Sequence, residues 1–274
     1  MSSTIGKLAT HAILIALSLI ILLPIWIVLV SSITPPELLF RPFATLIPQG
    51  FTLDNYTWLF ETTQLPRQIL NSAIVTVGIV VGQVFVSIVA AFAFSYWRFP
   101  GRDILFLALI ATMAIPFQAM MIPKFLMVKD LGWTNSLIGL IIPQLGTAFG
   151  LFLLRQHFLS FPRGIIEAAI IDGASSWQIL WRIVARNNLA PIIALAILTA
   201  IEAWNEYFWP FLIIASPEME TVQLGIRRLL DFEGGAVWGL VMAGTSLAAI
   251  PVVLLYLVAQ RRIVESFAGT GLKG

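Results

Sequence analysis

Apolar residues in this chain form long, unbroken runs that are separated by short polar segments. A helix needs about 20 apolar residues to cross the hydrocarbon layer of a membrane, and six runs reach that length. Apolar and polar positions do not alternate within them, which favours helices over the strands of a membrane barrel. We predict a single transmembrane domain over residues 1–274, with spans at about 12–32, 70–96, 104–126, 136–156, 189–214 and 236–259.

The composition is that of an integral membrane protein. Hydrophobic residues make up 59% of the chain and charged residues only 11%, whereas soluble domains average about 25% charged residues. The first run follows Lys7 and lies where a signal peptide would lie. It is longer than a signal h-region, and no small-residue cleavage pattern follows it. We therefore interpret it as a retained helix.

The positions of Lys and Arg predict the orientation, because cytoplasmic loops carry an excess of these residues. If both termini are cytoplasmic, ten of the 16 basic residues fall inside and six fall outside. The acidic residues show the opposite bias, with eight outside and four inside. We expect a multi-pass protein with both termini in the cytoplasm, and the small basic excess needs no nucleic-acid partner to explain it.

The longest predicted cytoplasmic segment, about 157–188, reads as two helices joined by a turn. Ser160 is the predicted N-cap of the first helix, and Gly173 ends it, since glycine accepts the left-handed conformation that closes helices. Ser175 or Ser176 is predicted to cap the second helix. The first helix offers a small apolar surface that a cleft on another protein can hold, formed by Ile165, Ile166, Ala169 and Ile170.

Three motifs lie along the chain. The loop contains Glu167-Ala168-Ala169, then Asp172-Gly173, then nine residues before Ile183. The fifth predicted span contains Trp204-Asn205-Glu206-Tyr207-Phe208-Trp209-Pro210, and the chain ends in Gly271-Leu272-Lys273-Gly274. Together these motifs resemble those of permease subunits of carbohydrate-type, binding-protein-dependent ABC importers. The likeness is to the second permease of sugar, glycerol-phosphate and glycerophosphodiester importers.

The resemblance implies the type I ABC importer permease fold, an all-α membrane protein with six transmembrane helices and a cytoplasmic coupling helix. It implies a multi-pass protein of a prokaryotic inner membrane that imports a sugar, polyol or sugar-like solute. It also implies that the tail residues Gly271 and Lys273 lie near the ATP-binding subunits. The residues implied to couple the chain to those subunits are Glu167, Ala168, Ala169, Asp172, Gly173 and Ile183.

The implied partners are a homologous second permease, two ATP-binding subunits, an extracytoplasmic solute-binding protein and membrane lipid. The chain contains no Gly-x4-Gly-Lys-Ser/Thr phosphate loop. ATP and Mg are therefore expected on partner subunits, with no cofactor in this chain and no enzymatic activity of its own. One departure from the family pattern stands two residues after Ile183, where Ala185-Arg186 replace the usual Leu-Pro. This allows the second helix of the loop to run straight into span five.

The fifth span carries two carboxylates, and charged residues within a membrane are rare and usually functional. On one continuous helix, Glu202, Asn205, Glu206 and Trp209 share a face. Carboxylate and amide groups accept hydrogen bonds from hydroxyl groups, and an indole covers the apolar face of a sugar. The same two carboxylates would suit a cation and repel a bare phosphate. The predicted lining of the solute path is completed by Gln83, Gln118 and Gln144.

Other interpretations remain open at this point. The same polar side chains are able to hydrogen-bond neighbouring helices and hold two permeases together. A secondary transporter or channel that uses Glu202 and Glu206 as ion sites is the alternative function, although no inverted repeat is visible. No metal site is predicted, because the chain has no cysteine and its two histidines, His11 and His157, have no ligand-like spacing.

Overall fold

The structure is a computed structural model that describes residues 4–230 and 237–268, with side chains described for 6–230 and 237–260. No strand occurs in these ranges, so the all-helical prediction is confirmed. The helices are α1 (Thr4–Ser32), α2 (Asp54–Thr62), α3 (Leu65–Tyr96), α4 (Arg102–Ala111), α5 (Phe117–Asp130), α6 (Leu137–Ile141), α7 (Ala148–Ser160), α8 (Arg163–Ile171), α9 (Ser176–Asn187), α10 (Leu189–Asn205), α11 (Phe208–Ile213), α12 (Val222–Leu230) and α13 (Trp238–Ala268).

Within the described residues, three helices are long and apolar enough to cross a membrane as single rods. These are α1, α3 and α13, and they match the predicted first, second and sixth spans. Three bent helix pairs are also long and apolar enough when each pair is taken together. The number of candidate spans is six if each pair forms one span. The pairs are α4 with α5, α6 with α7, and α9 with α10, bent by 105°, 43° and 81°.

The third predicted span is therefore not one straight helix. A short 3-10 turn at Thr112–Ala114 follows α4, and Ile115 is extended before Pro116 begins the next segment. Proline lacks a backbone N–H and disfavours helical geometry in the residue before it. Pro116 thus accounts for the interruption. Pro123, by contrast, lies inside α5 without ending it.

The fifth predicted span, 189–214, is also interrupted. The helix α10 ends at Asn205, and α11 begins at Phe208. The junction before α10 corrects a second expectation, because α9 does not run straight into the span. Asn188 separates the two helices at a bend of 81°, and its side-chain Nδ2 donates to the Val184 carbonyl at 2.8 Å. The Val184 carbonyl also accepts from the Asn188 backbone N–H at 3.1 Å, so the Asn188 side chain is a second local donor at the bend.

The chain divides into two compact units. The first comprises residues 1–69 and 222–250, and polar side chains hold its described part together. Buried Asn55 donates from Nδ2 to the Ser32 carbonyl at 2.9 Å, and the Tyr56 hydroxyl lies 2.7 Å from Ser32 Oγ and 2.9 Å from Ser246 Oγ. In a membrane such pairing matters, since an unpaired polar group costs several kcal/mol in hydrocarbon.

The second unit comprises residues 70–221 and 251–274. Its described part contains the predicted site residues other than the tail residues Gly271 and Lys273, which lie outside the described residues. One apolar cluster runs through it. Fully buried members include Ala91 from α3, Leu154 and Phe158 from α7, and Val184 from α9. The loop helix α8 and the span helix α10 join the same cluster through Ile166 and Leu195 respectively, so the loop and the spans share one core.

We expect Gly139→Ala to destabilise the protein. A Cβ at Gly139 in α6 would collide with the backbone carbonyl oxygen of Trp133, which cannot rotate away. Overpacking of this kind costs about 1–3 kcal/mol, so the thermal midpoint of the purified protein should fall. Gly146→Ala is the matched control, because a Cβ there meets nothing within 4 Å. Equal midpoints for the two variants would contradict the packing described for α6.

Candidate coupling loop and solute cavity

The turn at Gly173 is built by backbone geometry that only glycine adopts easily. Gly173 has φ of 79°, a left-handed conformation that is unfavourable for residues with a Cβ. The Ala174 N–H donates to the Ala169 carbonyl at 2.9 Å, and the Gly173 N–H donates to the Ile170 carbonyl at 3.0 Å. These two bonds define a Schellman motif, which satisfies carbonyls at the end of α8. The turn thus holds α8 at a defined angle to the chain that follows.

The helix after the turn has a reciprocal cap. Gln178 N–H donates to Ser175 Oγ at 3.3 Å, and the Ser175 N–H donates to Gln178 Oε1 at 2.8 Å, which completes a capping box. Ser175 is therefore one of the two caps that the sequence predicted. The predicted cap at Ser160 is corrected, because its hydroxyl donates to the His157 carbonyl at 2.7 Å and Pro162 occupies the N-cap position of α8.

The helix α8 has one buried face and one exposed face. Ile166 and Ala169 are 7% and 8% exposed and belong to the apolar cluster of the unit. The neighbouring isoleucines Ile165, Ile170 and Ile171 are 48%, 60% and 85% exposed. The core uses only part of the apolar surface, so the remainder is an unpartnered apolar knob at the end of a rigid helix.

The other predicted coupling residues lie on or beside this knob. Glu167, Ala168, Asp172 and Gly173 are exposed. Ile183 lies on α9, is partly buried and packs against the apolar cluster. The four exposed residues thus lie at the surface, whereas Ile183 is anchored in the core. The tail residues predicted to lie near the ATP-binding subunits fall in 269–274, outside the described residues.

A cavity of about 430 Å³ lies in the same unit, at the break between α10 and α11. Polar side chains predominate on its α10 side, and aromatic rings lie at the break itself. Five predicted pathway residues, Gln83, Gln144, Glu202, Asn205 and Glu206, are among its lining. The complete lining is Ile79, Gln83, Phe117, Gln144, Thr199, Glu202, Ala203, Asn205, Glu206, Tyr207 and Phe208.

The glutamines act partly as links between helices. Gln83 Nε2 donates to the Gln144 carbonyl at 2.6 Å, and Thr199 Oγ1 donates to Gln83 Oε1 at 3.1 Å. Gln144 Nε2 donates to the Leu140 carbonyl at 3.3 Å. These bonds join α3, α10 and the segment after α6 around the cavity. Gln118 differs, since it is exposed on α5 and is not part of the lining.

The two carboxylates have different surroundings. Glu206 is half-buried, and its Oε1 accepts from the Trp209 N–H at 3.1 Å, which satisfies a donor at the start of α11. Its charge also attracts the Lys124 ammonium. Glu202 is exposed on the cavity wall, and no described residue bonds or pairs with it. Glu206 is thus partly structural, whereas Glu202 is available to a solute.

Trp209 does not occupy the position that the sequence predicted. Its side chain is 0% exposed and its Nε1 donates to the Gly139 carbonyl at 3.1 Å. The Lys124 ammonium lies 4.6 Å from its ring centroid, in cation–π geometry. The predicted common face of four residues is broken because the helix ends at Asn205. Tyr207, which stacks on Phe211 at 5.6 Å, lines the cavity in its place.

Lys124 is the neighbour that the sequence reasoning missed. It is one of the six basic residues predicted outside, yet it is the single charged residue within the predicted span 104–126. That isolation is a signal, since charges inside a span are rare and usually paired. The structure places its ammonium over the Trp209 ring, and the charge of Glu206 attracts it. Over the described residues, no group of three or more His, Asp or Glu side chains is placed to hold a metal ion.

A family profile supplies the classification. The profile described as "Binding-protein-dependent transport system inner membrane component" matches residues 83–267, which include both the loop and the cavity helices. The chain belongs to this family of permeases. The resemblance stated from the motifs is thereby confirmed, and with it the assignment to ABC importers rather than to ion-coupled transporters or channels.

Curated relatives extend the match over nearly the whole permease. The sn-glycerol-3-phosphate transport system permease protein UgpE of Brucella suis biovar 1 is 31% identical over 274 residues, covering 97% of each chain. The protein of the same name from Yersinia pestis bv. Antiqua is 33% identical over 262 residues, covering 93% of each.

Solved structures show the same architecture. A chain of a bacterial ABC transporter involved in the import of the acidic polysaccharide alginate aligns with a TM-score of 0.85 and 26% identity, covering 95% of this permease and 97% of that chain. A chain of the alginate transporter in complex with an alginate pentasaccharide-bound periplasmic protein aligns with a TM-score of 0.65 and 18% identity, covering 95% and 98%. The second match supports the fold alone.

We expect Ser175→Ala to loosen the start of α9. The substitution removes the acceptor for the Gln178 N–H and costs about 1 kcal/mol of helix stability. Hydrogen exchange of the first-turn amides of α9 should therefore be about fivefold faster than in the unmodified protein. Ser176→Ala, whose hydroxyl has no described partner, is the control. Unchanged exchange in Ser175→Ala would show that the capping box does not hold this helix.

Proposed function

We propose that this permease forms half of the translocation path of an ATP-driven importer, together with a homologous second permease. A solute-binding protein outside the membrane delivers the solute, and two ATP-binding subunits inside hydrolyse ATP with Mg. The chain itself then binds no cofactor and has no enzymatic activity. In this arrangement both of its termini face the cytoplasm, and the surrounding lipid completes its environment.

The observation that carries the proposal is the divided surface of α8. Ile166 and Ala169 anchor the helix in the core that also contains residues of the span helices. Ile165, Ile170 and Ile171 stay exposed. A partner that grips the exposed isoleucines therefore pulls on the span helices directly, and closure of the ATP-binding subunits becomes a rigid-body tilt of the spans. Glu167 and Asp172 supply charges around the knob for pairing with that partner.

The tail belongs to the same proposal on sequence grounds only. Gly271 and Lys273 would reach toward the seam between the ATP-binding subunits, where Lys273 can respond to the nucleotide state. Ala168 and Gly173 would allow the partner surface to approach the loop closely, because neither carries a bulky side chain.

The solute is proposed to be a sugar, a polyol or a related hydroxylated compound, with glycerophosphodiesters in that class. Glu202, Asn205 and Gln83 present acceptors and donors to a cavity of about 430 Å³, and Tyr207 supplies an aromatic surface. Such a lining suits a molecule with many hydroxyl groups. The relatives are named for sn-glycerol-3-phosphate and alginate, both of which combine hydroxyl groups with an anionic group.

An anionic group is easier to accommodate than the two carboxylates alone suggest. Lys124, which is not part of the lining, is attracted to Glu206, and this cation offsets one of the two negative charges. Glu206 is also held at the start of α11 by the Trp209 N–H. The repulsion that the sequence predicted for a bare phosphate is therefore reduced.

Purification of the tagged permease tests the assembly. An ATP-binding subunit and a second permease should co-purify with it in stoichiometric amounts. A chain that purifies alone and carries solute in vesicles without nucleotide would overturn the proposal. A thermal-shift screen of the accompanying solute-binding protein would then identify the solute.

Gly173→Pro should abolish solute-stimulated ATP hydrolysis in the assembled complex. Proline holds φ near −65°, so it cannot adopt the φ of 79° observed here, and it removes the N–H that bonds Ile170. Gly101→Pro is the matched control, since Gly101 has φ of 77° in a different loop. Stimulated turnover that survives in Gly173→Pro, or is lost equally in both variants, would argue against coupling through α8.

Glu202→Ala and Glu206→Ala should distinguish a residue that contacts the solute from a residue that also supports the structure. Glu202→Ala should leave assembly intact and reduce uptake about tenfold or more, as expected when a charged hydrogen-bond partner is removed. Glu206→Ala should reduce both uptake and the yield of assembled complex, because it removes the acceptor for the Trp209 N–H and the attraction for Lys124. Uptake that is unaffected in Glu202→Ala would remove this residue from the path.

A further inference from the structure

A second cavity lies in the same unit, between the end of α3 and the loop helix α8. Its volume is about 530 Å³, and it is separate from the solute cavity, since the two share no lining residue. Three arginines from two different segments converge on it. Arg98 and Arg102 come from the turn after α3, and Arg163 begins α8. We call this cavity the arginine cleft.

Two of the three guanidinium groups are available to a ligand. Arg98 and Arg163 are exposed and form no ion pair with any described residue. Arg102 is partly engaged, because its Nε donates to Asp103 Oδ1 at 2.9 Å and its Nη1 donates to the Trp97 carbonyl at 3.4 Å. Glu167 is the acidic residue in the lining. The lining therefore carries three positive charges against one negative charge.

A buried hydroxyl without a partner marks the inner wall of the cleft. Ser95 is 3% exposed, it lines the cleft, and its Oγ has no hydrogen-bond partner. Buried polar groups are normally paired, so an orphan of this kind calls for a ligand or a water. Beside it, the Tyr96 hydroxyl donates to the Phe158 carbonyl at 2.6 Å and fixes the end of α3. The wall is thus rigid, with one donor still free.

The surroundings of the cleft indicate its depth. Trp97, which also lines it, is 51% exposed, and the nearby Ile104 at the start of α4 is 78% exposed. Tryptophan is enriched where hydrocarbon meets the polar headgroups, and exposed isoleucine on a membrane helix faces lipid. The arginines lie at the polar end of a predicted span, where we expect the lipid headgroups to begin.

We propose that the arginine cleft binds a phosphate-bearing anion, namely the headgroup of an acidic phospholipid. Guanidinium groups bind phosphate oxygens through paired, charge-assisted hydrogen bonds. Basic pockets between membrane helices at this depth hold acidic headgroups. Ser95 adds a neutral donor from the inner wall, and Glu167 at the rim disfavours ligands of higher charge. The bound lipid connects α3 to α8, which makes it a regulator of the proposed coupling helix. Binding itself does not depend on that assignment.

The test uses the full chain purified with its co-purifying subunits and measures binding without transport. Short-chain phosphatidylglycerol, short-chain phosphatidylcholine and inorganic phosphate are titrated separately, with calorimetry as the readout. Phosphatidylglycerol should bind more tightly than phosphatidylcholine. Arg98→Ala combined with Arg163→Ala should weaken its binding about thirtyfold, since each basic residue near a membrane surface contributes about fivefold. Arg182→Ala, which removes an exposed arginine outside the cleft, should have no effect.

Two further measurements distinguish a lipid headgroup from free phosphate and show whether weaker binding results from unfolding. Ser95→Ala should weaken phosphatidylglycerol binding without lowering the thermal midpoint, because the lost hydroxyl has no partner in the protein. If inorganic phosphate binds with the same dependence on Arg98 and Arg163, the cleft is a phosphate site, and the proposal that a lipid headgroup occupies it is overturned. Phosphatidylglycerol binding that is unchanged in the double variant, or equally weakened by Arg182→Ala, would overturn the proposal.

Discussion

The packing of Ile166 and Ala169 into the apolar cluster is the interaction on which the proposed mechanism depends. These two side chains attach a short surface helix to the core that α3, α7, α9 and α10 build. Because protein interiors are close-packed, a displacement at one end of such a cluster moves the whole cluster. The Schellman turn at Gly173 and the cap at Ser175 then keep the attached helix at a fixed angle. In the proposed mechanism, this rigidity turns a contact on the surface into movement of the spans.

The interrupted spans follow from a second constraint, the need to pair backbone groups inside a membrane. Polar side chains bond to the backbone at two of these breaks. Glu206 accepts from the Trp209 N–H at the start of α11, and Asn188 donates to the Val184 carbonyl before α10. The break between α10 and α11 also exposes Tyr207 to the solute cavity. At this one break, Glu206 pairs a backbone N–H and Tyr207 contributes to the cavity lining.

Sequence patterns predicted the loop better than the cavity. Gly173 and Ser175 were identified because turn and cap chemistry is local, so it depends on residues within five positions of each other. The lining of the cavity is not local. Trp209 was assigned to the path by helical periodicity, and it lies buried against Gly139, 70 residues away in sequence. Lys124 was placed outside by its position near the end of a span, and Glu206, whose charge attracts it, lies at the break between α10 and α11.

By itself the sequence determined that the chain belongs in a membrane, that its fold is helical, and that its loop carries motifs of the family. These properties depend on the apolar fraction of each run and on interactions between residues close in sequence, so the sequence alone is enough to predict them. Only the tertiary structure decided where spans break, which face of α8 is free, and that Glu206 is engaged while Glu202 is not. Those outcomes depend on which side chains compete for the same space and the same hydrogen-bond partners, and that competition exists only after the helices have packed together.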